Sequence, residues 1–279
     1  MIITGSVALV MMYTGMSFSA PRMRESFSRS DLGSIGWLTF VNYILIPLTT
    51  ALAVVASIQF TGVGLALLTM AVLPCAPLVP SVVTMLDEPP EWSILVFILF
   101  SAISLVFIVL LTVVLATGGY IQQNGDHSNH DVYRGLLGYL VAIFVPLVAG
   151  IGFRMFSSSW YRPLLRFLRP VAGTSLLVAL VTFVVANYVQ VSAVSLTEVL
   201  IIIAFNLCCI ALVFPFRSIT CDKWLARLLT TGFRNIALAL PFSMVVLGRT
   251  DVSVYIVVYA LVAMVTCYLA VALVRLVNS

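Results

Sequence analysis

What most restricts this chain is where its charge is absent. Apolar blocks of about the length a helix needs to cross a bilayer, roughly 20 residues, follow one another from end to end. Nine are legible, at 1–18, 36–58, 61–86, 92–120, 135–156, 171–190, 195–216, 224–248 and 252–277, and the polar links between them carry nearly all the ionised groups. Only 9% of the residues are charged while 62% are apolar, against about a quarter charged in a soluble domain. Ten acids and fourteen bases cannot cover a water-facing surface, so soluble enzymes, nucleic-acid binders and secreted disulfide scaffolds are excluded. The blocks lack the period-2 alternation of a barrel strand, so helices carry them. The expectation is an all-α polytopic membrane protein with the lipid bilayer as its solvent and residues 1–279 as a single membrane domain. The five cysteines (Cys75, Cys208, Cys209, Cys221 and Cys267) lie within or at the ends of apolar blocks and read as reduced, buried thiols.

The bases orient the spans. Arg22, Arg24 and Arg29, then Arg154, Arg162, Arg166 and Arg169, then Arg217, Lys223 and Arg227, and finally Arg275 fall on one side; Arg134 and Arg249 fall on the other. Cytoplasmic loops collect Lys and Arg. This predicts a multi-pass protein of the cell (inner) membrane with its C-terminus in the cytoplasm and Met1 outside. Residues 1–18 lack a basic n-region and a small-residue cleavage site, so they read as a span rather than a signal peptide. An upstream helix would account for the outside start.

Two blocks are interrupted. Residues 61–86 contain Pro74, Pro77 and Pro80. Each proline removes an amide donor and crowds the carbonyl four residues back, which frees those of Met70, Leu73 and Ala76. Residues 224–248 contain Thr230, Thr231, Gly232, Arg234, Asn235 and Pro241, and Arg234 is the only charge near the middle of any block. Prolines in membrane helices also serve plain packing, and that reading stays open. Matched discontinuous helices, however, mark the binding site of secondary transporters built from inverted repeats. Five spans over 135–277 make a second repeat with its broken helix fourth. The first repeat, 1–120, has four spans with the broken one third, so one N-terminal helix would complete the match. The two interrupted segments, 74–81 and 230–236, are then expected to lie side by side.

At these segments the sequence resembles the bile acid:sodium symporter family. YTGMSFSAPRMRESFSR resembles the family's second helix and following loop; VNYILIP resembles its third helix, with Asn42 at the amide position and Pro47 at the proline. FNLCCIALVF followed by TTGFRNIALAL resembles the Asn-containing eighth helix and the E-x-G-x-Q-N crossover of the ninth. The resemblance implies two inverted five-helix repeats, with a panel domain moving against a core domain. It also locates departures. Thr230 stands at the acidic position and Arg234 at the glutamine, while Gly232 and Asn235 are kept. The family's P-G-G-x-x-S-N becomes PCAPLVPS, with Pro80 and Ser81 in place of Ser and Asn. Ser101 and Ser104 are the hydroxyls near the fifth-helix ligand positions. Because all ten acids lie in loops or at span ends, sodium sites built on a membrane carboxylate are lost, and no cofactor is implied.

Arg234 is the foremost site candidate. Arginine at a helix centre costs about 2.5–3.5 kcal/mol on insertion scales, so it faces a cavity or a partner. It serves as a fixed cation bonded to the freed carbonyls of 61–86, as a bidentate clamp for an anion, or as a purely structural group. Asn235, Asn42 and Asn206 are amides suited to the broken backbone or a ligand. Ser81, Thr84, Thr230 and Thr231 supply hydroxyls, although such groups often bond their own i−4 carbonyl. Cys75 reads as a packed small residue rather than a soft-ligand thiol. The His127, His130, Asp126 and Asp131 group reads as a solvated loop.

No nucleophile–base pair, phosphate loop or metal motif lies in a block, so no enzyme activity is expected. The leading reading is a secondary transporter of a small organic anion that does not use the usual sodium sites. The alternatives are a non-transporting sensor or scaffold derived from that fold, an arsenite-type efflux carrier, and a passive channel.

Overall fold

The computed structural model describes residues 2–18, 29–58, 61–85, 91–119, 129–156, 160–213 and 224–278. Every regular element among them is helical, because a backbone without water must satisfy its amides within the segment. The elements are α1 (Ile2–Ser17), α2 (Arg29–Phe40, continuing through a π-turn at Val41–Leu45, then Ile46–Ala53 and a second π-turn at Val54–Ile58), α3 (Gly62–Ala71), α4 (Val79–Met85), α5 (Glu91–Thr117) and α6 (Asn129–Phe156). They continue as α7 (Tyr161–Ala186), α8 (Tyr188–Ser192), α9 (Leu196–Ala211), α10 (Trp224–Gly232), α11 (Ile236–Pro241, running into a π-turn at Phe242–Val246) and α12 (Thr250–Asn278).

Three stretches are long and apolar enough to cross a membrane: Leu32–Ala56, Glu91–Thr117 and Thr250–Leu273. Gly62–Ala71, Phe144–Met155 and Leu196–Ala211 are shorter apolar stretches. Their outward faces stay apolar. Phe40, Ile44, Leu48, Leu52 and Val55 form an exposed i, i+4 stripe on α2, which in water would be a large unpartnered patch. The fold is that of an all-α membrane protein.

Local sequence explains most helix ends. Thr61 caps α3, its Oγ1 accepting from Gly64 N at 3.4 Å. Ser195 and Glu198 form a capping box at α9, each satisfying an orphan amide of the other. Tyr255 Oη donates to Glu198 Oε1 at 2.5 Å, tying α12 to that cap. The π-turn in α2 falls just before Pro47, which has no amide to offer Tyr43; Ile46 N reaches back five residues to the carbonyl of Val41 instead.

The structure departs from the sequence expectation in two places. The sixth block was expected to begin at 171, yet α7 starts at Tyr161, so Arg162, Arg166 and Arg169 belong to its first turns rather than to a loop. Arg227, counted with the loop bases, is buried within α10 with its guanidinium 5.8 Å from the Trp92 ring centroid. The Arg227 side chain, solvated in the linear reading, is thus held by the bundle.

α1 packs along α6 and α7, α9 lies along α12, and α4 and α10 meet α5. Polar contacts reinforce the first group: Ser6 Oγ donates to the Ser175 carbonyl at 2.9 Å. Arg154 Nη1 donates to the Ser17 carbonyl at 2.7 Å and the Met16 carbonyl at 3.3 Å, satisfying carbonyls that the C-terminus of α1 leaves open. The same guanidinium lies 5.2 Å from the ring centroid of Tyr161.

Candidate functional site: the crossing of two broken helices

The first interrupted segment breaks between Ala71 and Val79. Pro74 and Pro77 lie in the break. Pro80 is the second residue of α4, where its missing amide would have no intrahelical partner in any case. Every carbonyl freed by the three prolines is satisfied. Met70 O accepts Leu73 N at 3.2 Å, Ala76 O accepts Val79 N at 3.0 Å, and Leu73 O accepts Asn235 N at 2.7 Å. The last of these comes from the other broken helix.

That contact belongs to a short antiparallel pairing centred on Pro74 and Arg234. Cys75 N donates to Thr230 O at 3.2 Å and Ala76 N to Phe233 O at 2.9 Å. The segments 74–81 and 230–236 therefore touch directly. Cys75 turns the chain with φ of 62°, a left-handed conformation that costs an L-residue roughly 1–2 kcal/mol. It is wholly buried, as expected of a packed small residue.

Arg234 is fully buried, and among the described residues its side chain bonds none of the freed carbonyls, one of the uses open to it. Its backbone neighbour, Asn235 N, serves the freed Leu73 carbonyl, while its side chain reaches two other helices. Nη1 donates to Asn42 Oδ1 at 2.9 Å and Nη2 to Cys209 Sγ at 3.2 Å. Asn42 sits in the π-turn of α2, and its Nδ2 donates to the Leu38 carbonyl at 2.9 Å and to Thr231 Oγ1 at 3.3 Å. No carboxylate pairs with Arg234 among the described residues, and its Nε and the Nδ2 of Asn235 have no hydrogen-bond partner among them. The guanidinium thus meets only neutral acceptors. An anion about 4 Å away would gain about 4 kcal/mol at an effective dielectric near 20.

The other candidates divide. Asn235 caps α11, its Oδ1 accepting from Leu238 N at 3.1 Å. Thr230 Oγ1 donates to its own i−4 carbonyl, Ala226 O, at 2.7 Å, the local bond that membrane hydroxyls favour. Gly232 ends α10 with no room for a Cβ, which would lie 2.6 Å from Cys267 Sγ. Its carbonyl accepts from Asn206 Nδ2 at 2.9 Å and from Tyr259 Oη at 2.8 Å, and Thr266 Oγ1 donates to Asn206 Oδ1 at 2.6 Å. Ser104 Oγ lies 3.0 Å from Tyr43 Oη, which also donates to the Phe100 carbonyl and so fixes α5 beside the π-turn. Ser101 is buried. The side chains of Ser81, Thr84, His130 and Asp131, and residues Asp126 and His127 entirely, lie outside what is described. Among the described residues no group of three His, Cys, Asp or Glu is placed to hold a metal.

Sequence reasoning missed Tyr43, Cys209, Tyr259 and Thr266 as members of this cluster. Tyr259 and Thr266 carried a signal: their i, i+7 spacing puts both on one face of α12. The other two offered none, since a tyrosine and a thiol in apolar blocks are ordinary packing residues.

The shared Gly232 carbonyl yields a first prediction. Either Asn206→Leu or Tyr259→Phe alone should cost about 1 kcal/mol, because one donor remains. Asn206 Nδ2 also donates to Tyr259 Oη at 2.8 Å, a bond that either variant loses and the double loses only once. Because both together also orphan the carbonyl, the double variant should still exceed the sum, by about 1–2 kcal/mol. Thermal unfolding of the four proteins in detergent measures this, and a double variant milder than the sum would show the carbonyl is not shared.

Fold and site together define an all-α membrane protein with two broken helices crossed around a buried arginine. Neither a protein-family model nor a curated protein matches the sequence.

Proposed function

We propose that this chain is a secondary transporter of a small organic anion, similar to the bile acid:sodium symporters but working without their sodium sites. In this reading its nine transmembrane helices form two inverted repeats in the cell membrane, with the C-terminus cytoplasmic. Arg234 is a built-in cation at the crossover, in the place of a bound ion, and the substrate's negative charge completes it. The observation that carries the reading is the crossing itself. Two helices are interrupted at the same place, at the cost of helical hydrogen bonds that must be replaced in a dry interior, and a buried guanidinium with no carboxylate partner among the described residues stands there. A packing scaffold has no need of either feature.

Purified protein in proteoliposomes, offered a panel of small mono- and dicarboxylates with and without sodium, tests it. Saturable uptake of at least one anion is expected, at the same rate in sodium and in choline buffers. Strictly sodium-dependent uptake would overturn the fixed-cation role. Absence of uptake across the panel by protein that remains folded would favour the scaffold alternative, and fluxes far above a carrier cycle would favour a channel.

A further inference from the structure

The first two turns of α7 carry a feature independent of any transport reading. Because the helix begins at Tyr161, positions 162, 166 and 169 fall within about 60° of one another around its axis, at about 100° per residue. All three are arginines, and Arg166 is exposed. A loop would have scattered them; the helix gathers them into a stripe. Leu164, Leu165 and Leu168 of the same turns pack into the core, which fixes the rotation of the stripe. The nearby Arg154 is not part of it, since it is committed to the carbonyls of α1.

The residues around the stripe are exposed and largely apolar. Trp160, at the helix entry, is 73% exposed and Phe167 is 64% exposed. Val178, Val181 and Val185, further along α7, are exposed apolar residues of the kind that face acyl chains. Aromatic residues at the start of such a face sit at headgroup level. The three arginine positions therefore lie beside an exposed face that is aromatic at its start and apolar further along.

We propose that this face lies at the bilayer surface and is a docking site for an anionic glycerophospholipid, with the exposed Arg166 on its phosphate-bearing headgroup, arginine also at positions 162 and 169 of the same face, and Phe167 against its upper acyl chain. Guanidinium groups suit phosphate through paired N–H donors, and a basic residue near an anionic bilayer surface contributes about a fivefold gain in binding.

The test compares the protein in nanodiscs of pure phosphatidylcholine with nanodiscs of an equimolar phosphatidylcholine–phosphatidylglycerol mixture. Readouts are the thermal midpoint and the phosphatidylglycerol retained in native mass spectrometry. The expected result is a higher midpoint and selective retention of phosphatidylglycerol. Arg166→Gln should lower retention about fivefold, and the triple Arg→Gln variant by on the order of a hundredfold. The triple Arg→Lys variant should keep most of it. If the triple Gln variant fails to fold, the exposed single Arg166→Gln carries the decision. Equal retention by Arg166→Gln and wild type would overturn the proposal. So would a midpoint shift reproduced by inorganic phosphate in phosphatidylcholine nanodiscs.

Discussion

Arg234→Ala is expected to abolish anion uptake while leaving the protein folded. The stability argument has two opposed parts. Removing the side chain orphans Asn42 Oδ1, at about 1–3 kcal/mol, and leaves a cavity. It also removes a buried charge that no described carboxylate balances, which relieves a desolvation cost of several kcal/mol. The net change in stability is therefore small beside the loss of function. Arg234→Lys keeps the charge but not the planar fork that spans Asn42 on α2 and Cys209 on α9, so partial uptake is expected. Arg234→Met fills the volume without charge and separates the cavity from the electrostatics. Uptake and detergent thermal stability, measured together for all three, decide the role. If Arg234→Met and Arg234→Ala both unfold, the arginine is structural. Normal uptake by a stable Arg234→Ala protein removes it from the site.

The largest structural effect should come from Gly150→Leu. A Cβ at Gly150 would strike the Met12 carbonyl, and lie 2.9 Å from Met16 N and 3.1 Å from Gly15 Cα; one at Gly15 would strike the Leu147 carbonyl. These obstacles are backbone atoms, so no rotamer change relieves them and α1 must move off α6. Small residues permit such close approach between membrane helices. Overpacking usually costs about 1–3 kcal/mol, occasionally more. With backbone as the obstacle we expect the upper end, a fall of about 5–10 °C in unfolding temperature or loss of monodisperse protein. Gly152→Leu is the control, since a Cβ there meets nothing within 4 Å. Identical behaviour of the two variants would show that α1 and α6 are not held by this contact.

Much of the architecture was legible in one dimension because its causes act locally. Apolar blocks dictate helices, since a dry backbone has no other way to bond. The prolines at 74 and 77 break their helix because each ring removes a donor from its own turn. The break around Gly232 was legible as a cluster of residues unsuited to a helix interior. Even the side-by-side placement of the two interruptions followed from their matched order in the chain, and the backbone bonds between 73–76 and 230–235 realise it.

What the sequence could not decide is which partner each freed or buried polar group takes. Arg234 bonds an amide 192 positions away and a thiol 25 positions away, and only the packing of α2 and α9 against the crossover makes those two the nearest acceptors. One of the uses open to its side chain, bonding the prolines' freed carbonyls, is not taken up, for a geometric reason. The antiparallel pairing brings the amide of Asn235 to the Leu73 carbonyl, and the guanidinium extends past it. In the same way, the start of α7 at Tyr161 escaped a hydropathy reading because three arginines in ten residues look like a loop; the packing of Leu164, Leu165 and Leu168 on the core offsets that polarity and keeps the turns helical. By itself the sequence determined the helices, their interruptions and the presence of one charge near the middle of an apolar block, because these follow from the chemistry of neighbouring residues. Tertiary structure alone decided the hydrogen bonds that close the crossing, because they depend on distances between helices that no local rule contains.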